Sequence, residues 1–341
     1  MTRFDIDSPD QPAPLTRRDW TLALVVAVIA IGALLLGSAA FAQTEPATLR
    51  IGYQKSASLF VLQKAQGTLE KRLAPLHVGV RWVEFPAGPQ LLEGLNVGSV
   101  DVGYVGEAPP IFAQAAGADF IYIGNDPAAP EAEAIVVPKD SAVRSLADLK
   151  GKKIALNKGS NVHYLLVRAL EKAGLKYADI QPVFLPPADA RAAFEKGAVD
   201  AWAIWDPFLA AVEKQSGARI LVDGRGGVAN NHQFYLAARA FAQKRPDAIK
   251  ALFDDSVEQG RWIKANLGQA AALIAPLQGL DTSVVELSLQ RYQFAVTSLS
   301  AAVAAEQQKV ADAFQELKLI PKAVRIADAL PGSAARTVAG N

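Results

Sequence analysis

Four times along this chain an apolar, strand-like run stops at a short polar or glycine turn, and the turn opens onto a helix-like run. The first is Leu49-Arg50-Ile51-Gly52-Tyr53, which turns at Gln54-Lys55-Ser56 into a helix reaching residue 73. The second is Val100-Asp101-Val102-Gly103-Tyr104, which turns at Gly106-Glu107-Ala108-Pro109-Pro110. Proline suits a first helical turn, where its missing N–H has no partner to lose. The third is Ile154-Ala155-Leu156, then Asn157-Lys158-Gly159-Ser160, then a helix with apolar residues at Val162, Leu165, Leu166, Ala169, Leu170 and Ala173 and a stop at Gly174. The fourth runs from Val199 to Ile204, turns at Trp205-Asp206-Pro207 and enters Phe208-Leu209-Ala210. Alternation of this kind argues for an α/β fold with largely parallel sheets.

Ligands of open α/β sheets collect at the carboxyl ends of the strands. Helix N-termini point there with free N–H groups and the positive end of the dipole. One such junction means little, since every α/β protein has several. Two pairs facing each other from separate lobes would form a site. The chain order predicts two lobes. Glu133-Ala134-Ile135-Val136-Val137-Pro138 and His232-Gln233-Phe234-Tyr235-Leu236-Ala237 read as crossover strands, the second following the flexible run Asp223-Gly224-Arg225-Gly226-Gly227. They frame a lobe at 137–234 holding the third and fourth junctions. The other lobe is discontinuous, 43–136 plus 235–341, with the first two junctions and a helical tail from Pro246. Two crossover strands make a hinge, and the hinge predicts closure on a ligand.

The first 42 residues are read apart from this. Thr16-Arg17-Arg18 precedes an almost wholly apolar run from Trp20 to Leu36, and small residues end in Ala40-Phe41-Ala42 before Gln43. That is the layout of an export signal with an A-x-A cleavage site. Arg17-Arg18 hints at a twin-arginine route; an uncleaved anchor is the alternative. The chain has no cysteine, which excludes disulfides, thiolate metal sites, a cysteine nucleophile and a lipid-modified N-terminal Cys. Net charge is +1, without a basic block or aromatic-basic interleaving, which argues against nucleic-acid binding. The histidines are scattered, and neither a metal cluster, a Walker lysine nor a dinucleotide fingerprint is present.

The residues resemble the periplasmic substrate-binding subunits of aliphatic-sulfonate ABC importers, relatives of the nitrate-, taurine- and thiamine-precursor-binding proteins. The resemblance is carried by 51-IGYQK-55, 82-WVEFPAGPQLLEGLNVGSVDVG-103, 107-EAPPIFAQAAGA-118, 158-KGSNVHYLLVRALEKAGL-175, 188-ADARAAFEKGAVDAWAIWDPF-208, 234-FYLA-237 and 307-QQKVADAFQELKLIPK-322. It implies a two-lobed type II periplasmic binding protein fold. It implies the role of taking up an organosulfonate and delivering it to a permease with its ATPase. It implies no cofactor and no metal. A monomer is the default, since each lobe pair forms its own cleft, and the A-x-A site and the missing cysteine predict a periplasmic protein with a cleaved signal and no lipid anchor. The family's ligand contacts, carried over position by position, fall on Gln54, Gly106 and Glu107 in one lobe and on Ser160, Asn161, His163, Trp205, Asp206 and Pro207 in the other. Where relatives often have Ser-Thr-Gly, this chain has Tyr104-Val105-Gly106, so a hydroxyl donor is missing beside Gly106.

A sulfonate is a tetrahedral monoanion that only accepts hydrogen bonds, so its site must consist of donors. Gln54, Ser160, Asn161 and the N–H groups after them offer donors, and a neutral histidine donates from one ring nitrogen. Each also has a plain structural role. Ser160 is an N-cap candidate, Asn161 a first-turn residue, and His163 a first-turn position facing solvent. Glu107 and Asp206 fit less readily, because a carboxylate repels a sulfonate and suits a protonated phosphate better. Asp206 can cap its own helix; Glu107 can do likewise or bridge the lobes. Trp205 packs either a ligand tail or the core. Three function classes compete: an exported binding protein for a sulfonate or a related anion such as taurine, nitrate or a phosphate ester; an enzyme using the same cleft; and a sensory module without a permease.

Overall fold

The computed structural model describes residues 47–332. The export segment expected at 1–42 and the outermost lobe ends at 43–46 and 333–341 lie outside the described residues. The chain first lays down β1 (Ala47–Tyr53), β2 (Val78–Glu84), β3 (Val102–Gly106) and β4 (Phe120–Asp126). It continues through β5 (Glu133–Val137), β6 (Lys153–Leu156), β7 (Gln181–Phe184), β8 (Ala201–Trp205) and β9 (Arg219–Asp223), and returns with β10 (Gln233–Ala238).

Two five-stranded sheets result, with orders β2-β1-β3-β10-β4 and β7-β6-β8-β5-β9. Each has the same plan. The first three strands run parallel, and the strand arriving from the other sheet runs antiparallel in the fourth place. The arriving strands are β5 and β10, the expected crossover strands. Their registers match as well: Gln233 pairs with Gly106 at the end of β3, and Glu133 pairs with Trp205 at the end of β8.

Both sheets are covered on both faces, which explains why β3, β5 and β8 read as unbroken apolar runs rather than alternating ones. On one face of the first sheet, Leu49, Ile51, Phe60 and Tyr104 pack with Leu252, Ile274 and Val285 of the helical tail. On the other, Val105, Tyr122 and Phe234 pack with Ile111 and with Phe314 of the helix Ala301–Glu316. The second sheet has its own core around Ile135, Leu156, Leu165 and Trp202. Separate cores under separate sheets are the two-lobed α/β arrangement. The chain passes between them only at 127–132 and 224–232, apart from contacts across the cleft.

Candidate functional site

The four strand-to-helix junctions meet. A cavity between the sheets is lined by Gln54 and Ser56 after β1, by Gly106 at the end of β3 and Pro109 beyond it, by Ser160 and Asn161 after β6, and by Trp205 at the end of β8. Gly88, Asn231, Gln233 and Tyr292 complete it. None of these side chains carries a charge at neutral pH. Tyr292 is the one titratable member, and burial pushes its phenol well above the usual 10.

Asn161 is the keystone. It opens the helix Asn161–Lys172 in the second lobe, yet its side chain bonds the first. Its Oδ1 accepts from the Ala108 N–H at 3.3 Å, and its Nδ2 donates to Asn231 Oδ1 at 2.5 Å. Asn231 Oδ1 accepts again from Gln233 Nε2 at 2.8 Å, while Asn231 Nδ2 donates to the Ala129 carbonyl at 2.8 Å. Asn231 sits at φ 54°, a left-handed position that asparagine tolerates better than most residues. The amide oxygen of Asn161 thus occupies the N-terminus of the helix Ala108–Ala115, where an anionic oxygen also fits. Gly106 permits this approach: a Cβ there would stand 2.0 Å from Asn161 Oδ1 and 2.1 Å from Nδ2.

Ser160 precedes the helix in extended conformation, as an N-cap does, but its hydroxyl caps nothing. Oγ donates instead to the Asn157 carbonyl at 2.7 Å. Its proton is therefore committed to the loop. Gln54 donates from Nε2 to the Tyr104 carbonyl at 3.3 Å. The Tyr104 ring lies away from the cavity, in the core against Phe60 and Tyr235. The aromatic that replaces a hydroxyl residue in the sequence comparison therefore does not crowd the site.

Four expected site residues lie outside this lining: Glu107, His163, Asp206 and Pro207. Glu107 is buried behind the cavity, accepting from the His232 N–H at 3.0 Å. Burial pushes its carboxyl up to about 7, against the pull of that N–H. Glu133, also fully buried, is raised well above the carboxylate range by burial and by Glu107. Asp206 accepts from the Ala210 N–H at 2.9 Å, closing the first turn of its own helix, as the sequence suggested. It also pairs with Arg291 at 3.2 Å, and Arg291 reaches on to Glu213 at 2.6 Å. Burial still outweighs the guanidinium and lifts the Asp206 carboxyl to about 6. Pro207 joins Asp206 to the helix Phe208–Ser216 through a cis peptide bond.

His163 is the clearest departure from expectation. Read as a solvent-facing first-turn position or a ligand, it is fully buried instead. Its Nδ1 accepts from the Gly159 N–H at 3.2 Å, so the neutral ring carries its proton on Nε2, 3.0 Å from the Tyr177 hydroxyl. Phe112, Phe184 and Phe314 surround it. Burial, aided by Lys158, lowers its pKa to about 4. This histidine braces the glycine loop from behind.

A match to the NMT1-like family spans residues 42–277. A putative aliphatic sulfonates-binding protein of Escherichia coli (strain K12) is 49% identical over 286 residues, which is 84% of this chain and 89% of that protein. Its counterpart in Bacillus subtilis (strain 168) is 34% identical over 82% of this chain and 84% of its own length. The chain belongs to the NMT1-like family, among its aliphatic-sulfonate-binding proteins. Among solved structures, the alkanesulfonate-binding protein SsuA from Xanthomonas axonopodis pv. citri, bound to MOPS, superposes with a TM-score of 0.80 at 46% identity. The match covers 84% of this chain and 98% of that one.

The NMT1-like match reaches every residue of the cavity except Tyr292. Sequence reading missed six lining residues. Ser56 and Pro109 lay in junctions already marked, where donor chemistry for one and helix geometry for the other were the visible signals. Gln233 opens β10 and Asn231 lies two residues before it, and polar residues at the head of a crossover strand are a usable signal. Gly88 and Tyr292 give none, because only tertiary packing brings them here.

Proposed function

We propose that this chain is an exported solute-binding protein that captures aliphatic sulfonates between its lobes and delivers them to an ABC importer. One observation carries the reading: four helix-opening junctions from two sheets converge on a cavity with uncharged walls. Amide and backbone donors suit an anion that has no proton to give. A protonated phosphate ester needs an acceptor as well. Neither carboxylate expected at the site lines the cavity: one oxygen of Glu107 accepts from the His232 N–H, and Asp206 pairs with Arg291 and the Ala210 N–H. That favours a sulfonate over a phosphate ester. The same neutrality argues against an enzyme, since the cavity offers no group titrating near pH 7 for acid–base work. The family relationship supports the ligand class, and residues 1–42 supply the export signal in this reading. The protein acts as a periplasmic monomer whose lobes swing about 127–132 and 224–232, with the permease and its ATPase as partners.

Calorimetry with methanesulfonate, butanesulfonate, taurine, nitrate, sulfate and phosphate tests the proposal, in buffer free of sulfonates. We expect alkanesulfonates to bind without turnover. A response to phosphate or nitrate and none to any sulfonate would overturn it. Asn161→Ala removes a donor to the charged ligand and should cost roughly 1.5–3 kcal/mol of affinity. Ser160→Ala should cost less, because its hydroxyl proton already serves Asn157.

A further inference from the structure

Two buried carboxylates, Glu107 and Glu133, stand near the anion cavity without lining it. They come from opposite sides of the cleft. Glu107 lies between β3 and the helix Ala108–Ala115 of the first lobe, and its carbonyl accepts from Gln307 Nε2 at 2.6 Å. Glu133 opens β5 of the second sheet, directly after the connection 127–132, and pairs in register with Trp205 of the cavity wall. Among the described residues, Glu107 Oε1 and both carboxyl oxygens of Glu133 have no hydrogen-bond partner. The two groups feel each other's charge: Glu107 helps to raise Glu133, and both raise the phenol of Tyr164 on the helix Asn161–Lys172. No Lys or Arg among the described residues bonds either carboxyl. Around Glu107 stand Tyr164, Arg168, His232, Glu306 and Lys309, which line a pocket of about 190 Å³ behind it. Arg168 is bound to Glu171, and Lys309 is exposed to solvent. Glu306 is taken by His232 Nε2 and by Asn230, each at 2.9 Å. Within electrostatic reach of Glu133 are Glu107, Tyr164 and Tyr292, none of them a cation.

We propose that closing the cleft takes up a proton, which Glu107 and Glu133 share when the lobes meet and lose when they part. The closure is that of the binding-protein reading, on which this inference rests. An ionised carboxylate without donors or water is strongly disfavoured, and two in one enclosure more so. With the lobes together, burial lifts Glu107 from 4.5 to about 7, against the pull of the His232 and Asn231 N–H groups. Burial and Glu107 lift Glu133 well above the carboxylate range. Parting the lobes separates the two groups and admits water, so both return toward the ordinary value. A carboxyl whose pKa is higher in the closed form favours closure fully below its open-form value, and that contribution is lost as pH rises through the closed-form value. Affinity for the ligand should therefore decline as pH rises above the ordinary carboxylate range, by about tenfold per pH unit where one full proton is taken up. The pocket behind Glu107 gives the proton a route that does not pass the ligand. A protonated pair also sets no negative charge against a bound sulfonate.

Calorimetry of butanesulfonate at pH 6, 7 and 8.5 tests this, in paired buffers that differ in protonation enthalpy and contain no sulfonate. The wild type should take up about one proton or more per ligand at pH 7, and should bind at least about tenfold more weakly at pH 8.5 than at pH 6. The double variant Glu107→Gln with Glu133→Gln puts two neutral amides of the same shape in place of the pair. It should bind without proton uptake, with affinities at pH 6 and pH 8.5 within about twofold of each other. If the double variant does not fold, Glu133→Gln alone should still give a shallower slope than the wild type, and an equal slope overturns the proposal. No proton uptake by the wild type, or an unchanged slope in the double variant, overturns the shared proton and leaves the sulfonate reading standing. If butanesulfonate binds at no pH, the sulfonate reading falls, and small-angle scattering of the free protein decides for the pair. The wild type should then be more compact at pH 6 than at pH 8.5, and the double variant should have one radius at both. Equal wild-type radii overturn the proposal.

Discussion

Beside the aromatic packing of His163 and Tyr164 against Phe112 and Phe314, the lobes are tied across the cleft by two sets of polar contacts built from different chemistry. At the candidate cavity the tie is neutral: Asn161 of the second lobe bonds the Ala108 N–H of the first and Asn231 of the connection 224–232. At the far side it is ionic. Arg291, which follows the helix Thr282–Gln290 packed on the first lobe, pairs with Asp206 and Glu213 of the second. There Ala210 and Ala211 also meet Val284. The separation has a physical reason. A buried charge near the cavity would either repel a sulfonate or bind it whether or not the lobes had closed. Amides are neutral toward the approaching anion and can exchange partners at small cost. The ionic tie can stay buried because Asp206 also takes the Ala210 N–H, so its charge has two partners.

Removing Arg291 should therefore produce the largest effect. Arg291→Met strips the partner from a carboxylate with no solvent exposure, and breaking such a pair costs about 3–5 kcal/mol. Thermal or denaturant unfolding would show this at pH 8. The sign of its pH dependence follows from Asp206, whose folded pKa is already raised to about 6. A raised carboxylate pKa means stability is fully present below the unfolded value and is lost as pH rises through the folded one. The variant lifts that pKa further, so its deficit should shrink at pH 5. A deficit that is the same at pH 5 and pH 8 would mean Asp206 is not the group left stranded.

Gly106→Ala attacks the neutral tie. The new Cβ would overlap the Asn161 side chain at 2.0–2.3 Å, so the lobes must part or Asn161 must leave. Overpacking of this kind costs about 1–3 kcal/mol, and ligand affinity should fall by at least tenfold as closure is blocked. Gly106→Ala with Asn161→Ala separates the causes. If the clash is the mechanism, the double variant binds no worse than Asn161→Ala alone, a marked departure from additivity. Additive losses would show that Gly106 matters for another reason.

The fold was legible because its signals are local. Each parallel strand ends in a turn and a helix start, and both crossover strands stand out as apolar runs beside flexible segments. The convergence of the junctions could be anticipated from the rule that places ligands at strand carboxyl ends. What each side chain does there was not legible. Ser160 and Asn161 are neighbours of similar chemistry, yet one hydroxyl turns back to Asn157 while the other side chain spans the cleft. Asp206 and Glu107 each follow a strand, but their partners Arg291 and His232 come from residues 85 and 125 positions away. Nothing local in the sequence encodes those distances. Tyr292 and Gly88 enter the cavity for the same non-local reason.

His163 tests that boundary between local and non-local signals, with the smallest expected effect on binding. It is two residues from Asn161 and shares its helix, but its ring lies among aromatics rather than in the cavity. His163→Phe should leave sulfonate affinity within about twofold, while the Gly159 N–H loses its acceptor at a cost of about 1–3 kcal/mol at neutral pH. The more telling readout is stability against pH. A histidine whose folded pKa falls from 6.5 to about 4 contributes fully above its unfolded pKa, and the contribution is lost as pH drops through that window. The loss amounts to about 3 kcal/mol. Over the same range the raised carboxylates of Glu107, Asp126 and Asp206 act in the opposite sense, gaining stability as pH falls. The wild type should thus still gain stability as pH falls from 7 to 4.5, because the three carboxylates outweigh the one histidine. The variant, freed of the histidine, should gain more steeply through that interval. A variant with the wild-type profile would mean the ring is not held neutral in the folded protein. A large loss of sulfonate affinity would return His163 to the ligand.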